Sequence, residues 1–395
     1  MINNKMSIKK IKDFATVVTG ATPLRSNNEY FNNGTIPWVK TTDLNNGKIN
    51  KTDEKITSLA LKETSVKILP KDTVLVAMYG GFNQIGRTGI LVEEATTNQA
   101  LSAITVDKNI ILPMYLLNYL NFRVVDWKAY AASSRKDPNI TKKDVENFKV
   151  LIPPVREQEK IVEILSTWDS VIEKQEQLIE KKKEFKRGLM QRLLSGEVRF
   201  KNFKDDWKTY KVNNLTKQVI NKNKDGNISL VLSVTNKKGF ITQEEQFEKQ
   251  VASKDLSNYK IVRKGEFAYN PSRINVGSID LLTKFNEGLL SPMYIVFKCD
   301  EQLLSEYYNY WIKTNMFKKQ MDKYLSGSVR ETLSFEDMGL MKIKLPSMEE
   351  QKMIVDLLNN MNTEIELLEK ELEALKLQKK GLMQRLLTGE VRVKV

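Results

Sequence analysis

Cationic, amide and hydroxyl side chains cluster in loops rich in Gly, Asn and Ser. Arg and Lys pair with guanine edges, Asn and Gln pair with adenine edges, and Ser, Thr and Lys also contact phosphate. These residue types therefore favour DNA binding, although a solvated surface is the alternative for each residue taken alone. The candidate DNA-binding residues are Lys40, Thr41, Thr42, Tyr79, Asn83, Arg87, Ser134, Arg135, Lys136, Lys237, Asn270, Ser272, Arg273, Asn275, Ser326, Ser328 and Arg330.

Residues suited to catalysis or metal binding are scarce. The sequence has no histidine, which excludes His-based triads, and its one cysteine, Cys299, forms no internal disulfide. It has no Walker loop and no GxGxxG motif after a predicted strand. The stretch 270–273, NPSR, shares only its first two residues with the Asn-Pro-Pro-aromatic motif of adenine methyltransferases. We therefore predict no catalytic residue, no metal site and no cofactor bound by this chain.

The elements that must position these loops occur twice. The segment 188–200, GLMQRLLSGEVRF, recurs as GLMQRLLTGEVRV at 381–393, an offset of 381 − 188 = 193 residues. IPPVREQEKIVEIL, from Ile152, aligns with LPSMEEQKMIVDLL, from Leu345, at the same offset. The helices and scaffold strands agree between the halves, whereas the loops between strands differ. Diverged loops on a duplicated scaffold predict two binding surfaces of different specificity, with purposeless loop drift as the alternative.

Each copy contains a long helix with a heptad pattern of apolar residues. Such a pattern must be covered, so we predict that the two helices pair with each other, antiparallel being the simplest arrangement. Leu189, Leu193, Leu382 and Leu386 could instead face a partner subunit. The predicted interface residues are Ile161, Leu165, Trp168, Ile172, Leu189, Leu193, Ile354, Leu358, Met361, Ile365, Leu382 and Leu386.

Polar residues and glycines mark the helix ends. Ser347 and Glu350 have the spacing of a capping box, and Gly196 and Gly389 stand where C-cap glycines are expected. Gly188 and Gly381 fall inside the helical pattern at a cost of about 1 kcal/mol each relative to Ala. We interpret them as places of close backbone contact or of a bend.

Short apolar runs beside turn-forming residues predict strands at 36–39, 73–77, 101–106 and 149–152, and 114–122 predicts a buried helix. We therefore predict an α+β fold with two similar domains, each a twisted β-sheet with helices. Two long antiparallel coiled-coil helices join them, giving a pseudo-two-fold internal repeat. The predicted boundaries are 1–152 for the first domain, 153–200 for the first long helix, 201–346 for the second domain and 347–395 for the second long helix.

The net charge of +14 is unevenly distributed. Residues 1–154 carry 21 Lys and Arg against 14 Asp and Glu, and residues 201–347 carry 24 against 17, so each segment is +7. Residues 155–200, with 10 against 9, and residues 348–395, with 8 against 9, sum to zero. Two basic bodies beside neutral helices fit a polyanion bound at two places, with a generally lysine-rich proteome as the alternative.

No run of about 18 apolar residues predicts a membrane span, and the first residues lack the apolar region of a secretory signal. A single cysteine is typical of a reducing compartment. These features together predict a cytoplasmic protein.

Over essentially its whole length the sequence resembles the specificity subunit of type I restriction-modification systems. The two GLMQRLL(S/T)GEVR segments carry the resemblance, because each ends a helix that begins after an (I/L)P(P/S)…EQ stretch. IPWVKTTDL and AYNPSR…VGSI are weaker matches. The resemblance implies that 1–152 and 201–346 are target recognition domains, each reading one half of a bipartite double-stranded DNA target. It further implies that the helices set the spacer between the half-sites and hold two methyltransferase (modification) subunits.

The resemblance also assigns the chemistry to other chains. S-adenosylmethionine is expected on the modification subunits, and ATP with Mg is expected on the restriction subunits that join the full complex. Two alternatives remain for this chain. One is a fused DNA adenine methyltransferase, and the other is a scaffold that binds proteins but not DNA.

Overall fold

The computed structural model describes residues 6–81, 83–131, 139–236, 238–246, 255–325 and 332–394. The chain forms two compact units. Residues 1–176 with 370–395 make the first unit, and residues 177–369 make the second. Each unit therefore combines a globular domain with one part of each long helix.

The first unit is a set of short strands with helices packed against them. Its strands are β1 (Ser7–Lys10), β2 (Ala15–Thr19), β3 (Ile36–Val39), β4 (Gly47–Ile49), β5 (Glu54–Ile56), β6 (Val74–Ala77), β7 (Thr88–Leu91), β8 (Thr96–Thr97), β9 (Leu101–Val106) and β10 (Lys149–Ile152). Its helices are α1 (Ser58–Glu63), α2 (Pro113–Phe122), α3 (Val124–Ala131), α4 (Lys142–Asn147) and the part of α5 (Val155–Ser195) up to residue 176.

These strands form three sheets. The largest has the order β2-β9-β6-β7-β4, a second has the order β5-β3-β8, and β1 pairs with β10. All pairs are antiparallel except β4 with β7 and β3 with β8. The apolar strand β6 is buried along its whole length, so it forms the centre of the first unit. Trp127 of α3 closes the core by stacking on Phe148 with ring centroids 4.0 Å apart.

The second unit has a similar order of elements, although its first helix follows its fourth strand and not its fifth. Its strands are β11 (Lys208–Lys211), β12 (Thr216–Val219), β13 (Leu232–Thr235), β14 (Gly239–Thr242), β15 (Lys260–Arg263), β16 (Phe267–Tyr269), β17 (Ile279–Leu281), β18 (Glu287–Leu290), β19 (Ile295–Cys299) and β20 (Lys342–Leu345). Its helices are α6 (Gln243–Gln246), α7 (Ser305–Trp311), α8 (Asn315–Leu325), α9 (Phe335–Leu340), the rest of α5, and α10 (Met348–Leu387) up to residue 369.

The sheets of the second unit are smaller. One has the order β12-β19-β16-β17, and the pairs β13-β14, β15-β18 and β11-β20 complete the set. Buried aromatic rings fill its core, with Phe267 stacked on Phe297 at 5.0 Å and both rings packed edge-on against Tyr308. The predicted α+β class with an internal repeat is therefore confirmed.

The two long helices run antiparallel within each unit. In the first unit Lys379 pairs with Asp169, and Lys376 Nζ lies 2.9 Å from Glu176 Oε1. Residue numbers therefore rise along α5 where they fall along α10. In the second unit Lys183 Nζ lies 2.6 Å from Glu369 Oε1 and Lys186 donates to Asn362 Oδ1, so residue numbers again rise along α5 where they fall along α10.

The predicted interface residues all lie away from open solvent. Ile161, Leu165 and Leu386 belong to the apolar core of the first unit, and Leu193, Ile354 and Leu358 belong to that of the second. Ile365 is also buried, whereas Trp168, Ile172, Leu189, Met361 and Leu382 are half-buried. The ends of the heptad pattern therefore lie in the domain cores, and the pairing of the two helices through these residues stays a prediction.

At the start of each long helix, a buried glutamate forms an ion pair with the arginine of a repeated GEVR segment. In the first unit Arg392 Nε and Nη2 lie 2.8 and 2.6 Å from the two carboxylate oxygens of Glu157, which is 2% exposed. In the second unit Arg199 binds Glu350 in the same two-pronged way at 3.0 and 2.8 Å. We call these two ion pairs the tail locks. Each ties the start of one long helix to the segment that follows the other.

The glutamine that follows each of these glutamates forms hydrogen bonds with three backbone groups. Gln158 accepts a hydrogen bond from the Leu112 backbone N–H at 2.8 Å and donates to the carbonyls of Ile110 and Pro153. Gln351 does the same with Leu304 N, Gln302 O and Pro346 O in the second unit. Burial of both side chains makes these bonds expensive to lose, because each would leave unsatisfied backbone groups.

The capping-box prediction is half correct. Ser347 Oγ accepts from the Glu350 backbone N–H at 3.3 Å, as an N-cap should. The Glu350 carboxylate does not return to Ser347, however. It binds Arg199 and the Trp207 indole N–H instead, because a buried carboxylate is better stabilised by a cation than by a single amide.

The interior helix glycines lack the close contact predicted for them. A Cβ built at Gly188 or Gly381 would meet nothing within 4 Å, and both positions are exposed. The C-cap glycines behave as predicted, because Gly196 and Gly389 have φ of 77° and 75°.

We therefore expect Gly188→Ala and Gly381→Ala to stabilise their units by about 1 kcal/mol each, since alanine lowers the backbone entropy of the unfolded chain. Thermal unfolding followed by circular dichroism measures the effect. Gly196→Ala is the matched control and should destabilise, because it forces a side chain into the left-handed region. Unchanged or lower stability of the two interior variants would contradict the assignment.

Candidate nucleic-acid interface

Three polar segments of the second unit meet at one place. The loop 270–278 follows the buried strand β16, and its Gly277 has φ of 88°. A Cβ at Gly277 would fall 2.5 Å from Asn236 Oδ1, so the loop lies directly against the β13–β14 turn. Ser278 Oγ donates to Val234 O at 2.8 Å and fixes this contact.

The third segment joins from the C-terminal side. The Leu333 backbone N–H donates to Pro271 O at 3.2 Å, and the Tyr269 hydroxyl donates to Leu333 O at 3.2 Å. Within this cluster Ser272, Arg273 and Asn275 are exposed and free to contact a ligand. Lys237, Ser326, Ser328 and Arg330 lie outside the described residues.

Asn270 has a structural role in this loop. Its side chain is buried, and its Oδ1 accepts a hydrogen bond from the Ser272 backbone N–H at 3.1 Å. This is the short-range turn that asparagine commonly makes. The side chain therefore shapes the loop that presents Ser272 and Arg273, and it offers little surface to a base.

The first unit contains the equivalent contact. The Ile140 backbone N–H donates to Met78 O at 3.0 Å, at the same 193-residue offset as the Leu333–Pro271 bond. Tyr79 and Asn83 are exposed on this loop, and Arg87 is half-buried at its end. Ser134, Arg135 and Lys136 lie outside the described residues.

Lys40 belongs to a separate cationic cluster of the first unit. Its Nζ lies 2.6 Å from Glu54 Oε1, and its backbone N–H is capped by Asp43 at 2.7 Å. Glu54 also pairs with Arg25, so Arg25 and then Lys40 lower the pKa of the Glu54 carboxyl below its usual range. The neighbouring Thr41 is half-buried and Thr42 is exposed.

Arg25 is a candidate that the sequence alone did not indicate. Its guanidinium lies 4.7 Å from the ring centroids of both Phe31 and Trp38, and its side chain is 52% exposed. Stacking and the Glu54 ion pair hold the guanidinium in one orientation, which favours recognition of a flat polar edge. A cation followed by an aromatic residue six positions later was the available signal.

The corresponding loop of the second unit also carries cations. Lys222 Nζ lies 3.5 Å from Asn258 Oδ1, and Lys260 Nζ donates to Tyr294 O at 2.6 Å. Burial and then the Lys222 charge lower the pKa of the Lys260 ammonium. Each domain therefore has a cation on the loop after its second strand, Arg25 in the first and Lys222 in the second.

Metal-binding clusters and membrane-spanning helices are both absent from the described part of the chain. No group of three or more His, Cys, Asp and Glu side chains there is placed to hold a metal ion. No helix among the same residues is long and apolar enough to cross a membrane.

Two copies of one α+β domain, each with a cluster of diverged polar loops and each joined to long paired helices, define a duplicated recognition protein. The family model of the type I restriction modification DNA specificity domain matches residues 3–181 and again 204–377. The chain belongs to this family and is a specificity subunit of a type I restriction-modification system.

Two specificity subunits are similar to this chain, one over nearly its full length and one over a shorter stretch. The type I restriction enzyme MjaVIII specificity subunit of Methanocaldococcus jannaschii is 24% identical over 98% of this chain and 93% of its own. The specificity subunit of EcoR124I/EcoR124II from Escherichia coli is 26% identical over 38% of each chain.

Solved structures show the same fold. A chain from a study of complex assembly and conformational transition of the type I R-M system has a TM-score of 0.62 at 14% identity, covering 99% of this chain and 100% of its own. The S subunit from M. genitalium has a TM-score of 0.54 at 14% identity, covering 98% and 96%.

Proposed function

We propose that each domain reads one half of a bipartite double-stranded DNA target. The observation that carries this proposal is the meeting of three polar segments at one place in the second unit, around Gly277, Asn236 and Leu333. The first unit has an equivalent contact with different side chains. Loops of equal position and unlike chemistry are what two half-sites of unlike sequence require.

The long helices are proposed to set the spacer between the half-sites and to dock two modification subunits, with restriction subunits joining the full complex. The chain itself is proposed to be non-catalytic and to bind no cofactor. S-adenosylmethionine then belongs to the modification subunits, and ATP with Mg belongs to the restriction subunits. Methyl transfer from S-adenosylmethionine to DNA by the purified chain alone would contradict this division.

Modified-base sequencing of a host with and without the gene tests the proposal directly. We expect methylated adenines at one bipartite sequence, present only with the gene. The two half-sites and the gap between them are read from the same data. Methylation that does not depend on the gene, or a continuous target, would overturn the proposal.

A salt titration separates DNA reading from a purely structural scaffold. We expect the logarithm of the DNA association constant to fall linearly with the logarithm of salt concentration, since lysines and arginines displace counterions from phosphate. Fluorescence anisotropy of the purified chain without its modification subunits measures this slope, so that their own DNA contacts do not contribute. A slope near zero would favour a scaffold that binds proteins only.

Helix length provides a further prediction. We expect matched insertions of seven residues, one heptad, in α5 and α10 to change the gap between the half-sites while leaving both half-site sequences intact. Seven residues preserve the heptad register, so the helices can still pair. Base-modification sequencing reads the new gap, and an unchanged gap would refute the spacer role.

A further inference from the structure

A cavity of about 490 Å³ in the second unit contains none of the DNA-binding candidates. It lies among α5, α10 and the end of α7, and its apolar wall comes from Met190, Tyr310 and Ile365. Its charged lining is more basic than acidic. The ionisable side chains that line it are Lys183, Lys186, Arg187, Lys313, Glu366 and Glu369.

Lys186 is half-buried in the wall of this cavity, and its hydrogen-bond partner is an amide side chain. Its Nζ donates to Asn362 Oδ1. Asn362 Nδ2 donates in turn to the Tyr310 hydroxyl at 2.7 Å, and that hydroxyl donates to Asn359 Oδ1 at 2.6 Å. This chain of bonds fixes the Asn362 amide and holds the ammonium at the cavity wall.

The cavity has more cations than carboxylates to neutralise them. Lys183 is neutralised by Glu369 at 2.6 Å, and the closest carboxylate to Lys313 is Asp280 at 4.0 Å. Within the described part of the chain, Lys186 and Arg187 have no carboxylate at ion-pair distance. Burial first, and then the charge of Lys313, lower the pKa of Lys186 against the opposite effect of Glu366. A bound anion would relieve both unfavourable effects.

The equivalent position in the first unit holds a carboxylate that the second unit lacks. An offset of 193 residues relates Lys379 to Lys186 and Asp169 to Asn362, and Lys379 does pair with the Asp169 carboxylate. The neighbouring pair is present in both units, as Lys376–Glu176 and Lys183–Glu369. The helix geometry is therefore equivalent, and the second unit has exchanged one internal carboxylate for an amide.

The residue at the position of Lys313 also differs between the two units, and this difference again makes the second unit more positive. Aligning EYYNYWI with MYLLNYL sets Asn121 of the first half against Lys313. Asn121 is occupied by hydrogen bonds to Thr88 and to the Asn46 carbonyl. The second unit has thus lost a negative charge and gained a positive one around an otherwise equivalent lysine.

We propose that this cavity binds an oxyanion, a phosphate or carboxylate group of a small molecule, between the ammonium groups of Lys186 and Lys313. The volume suits a small organic ligand, and Met190 and Ile365 offer an apolar wall to its carbon skeleton. This site is independent of DNA reading, so it stands or falls separately from the proposed function.

Thermal unfolding of the full chain with sodium phosphate or sodium acetate, at ionic strength matched with sodium chloride, tests the proposal. We expect a rise in Tm of roughly 3 °C at ten times the dissociation constant, which then grows with the logarithm of the anion concentration. Lys186→Met and Lys313→Met should abolish this anion-specific rise. Asn362→Asp should also abolish it, because the new carboxylate would itself neutralise Lys186, as Asp169 neutralises Lys379 in the first unit.

Lys379→Met is the matched control, since it removes the equivalent lysine from the first unit and should leave the anion response unchanged. General stabilisation by phosphate acts on all variants alike, so the anion-specific rise is the difference between the unsubstituted chain and a variant. An unsubstituted chain whose Tm does not rise above the sodium chloride reference would overturn the proposal. An equal rise in Asn362→Asp or Lys186→Met would overturn it as well.

Discussion

Replacing Arg199 by alanine should unfold the second unit at a markedly lower temperature. The Glu350 carboxylate is 1% exposed, and it would lose the guanidinium that binds both of its oxygens. An uncompensated buried carboxylate costs on the order of 3 kcal/mol. The same contact raises the pKa of Arg199, as expected for a cation held by its counter-ion. Differential scanning calorimetry measures the change.

Two further variants sharpen this test of the second tail lock. Arg192→Ala removes an arginine of the same helix end whose ion pair with Glu197 is exposed on both sides, so it should have little effect. Arg199→Met combined with Glu350→Leu should recover part of the loss, because no charge is then left buried. Equal melting temperatures for Arg199→Ala and Arg192→Ala would show that the lock contributes nothing.

Replacing Arg273 by alanine should relax recognition of one half-site and leave the other intact. Arg273 is exposed on the loop held by Asn270 and Gly277, so its removal takes away contacts without disturbing the loop. A two-pronged contact to a base contributes about 1–3 kcal/mol of discrimination, which is about fivefold to a hundredfold. Sequencing of methylated sites in cells that carry the variant gives the expected result, a degenerate position in a single half-site.

Arg263→Ala is the matched control for this experiment. Arg263 is exposed too, but it lies at the end of β15 and is 3.6 Å from Glu287. It should leave the methylated sequence unchanged. Loss of discrimination in both half-sites of the Arg273 variant would show that the two domains do not read DNA independently.

Much of the scaffold followed from the sequence because its signals are local. The bounds of β3, β9 and β10 match the predicted runs, β6 starts one residue after its predicted start, and α2 includes the proline before the predicted helix. Alternating apolar residues, proline at a helix start and glycine after a helix end act within a few residues, so a linear pattern contains them.

The tail locks could not be predicted in this way. The four residues of the two locks were visible as repeated letters, but their pairing spans 151 and 235 positions of sequence. Spacing suggested that Glu350 would cap its own helix. Burial decided otherwise, because only a distant arginine could neutralise the carboxylate.

The candidate site was predicted in part. Residue type pointed to Ser272, Arg273 and Asn275, which the structure exposes on one loop, and their contact with DNA stays a prediction. The same reasoning missed the Arg25 cluster, because its value comes from the Phe31 and Trp38 rings beneath it. The same reasoning included Asn270 among the DNA-binding candidates, because an amide that shapes a turn and an amide that reads a base look alike in sequence.

The division of the chain into units has a consequence for the order of synthesis. The second unit is one continuous stretch, 177–369, so a ribosome finishes it before the chain ends. The first unit needs residues 370–395, whose Leu386 and Leu387 fill its core and whose Arg392 neutralises Glu157. The domain translated first is therefore the one completed last, and until then Ile161 and Leu165 lack part of their apolar cover.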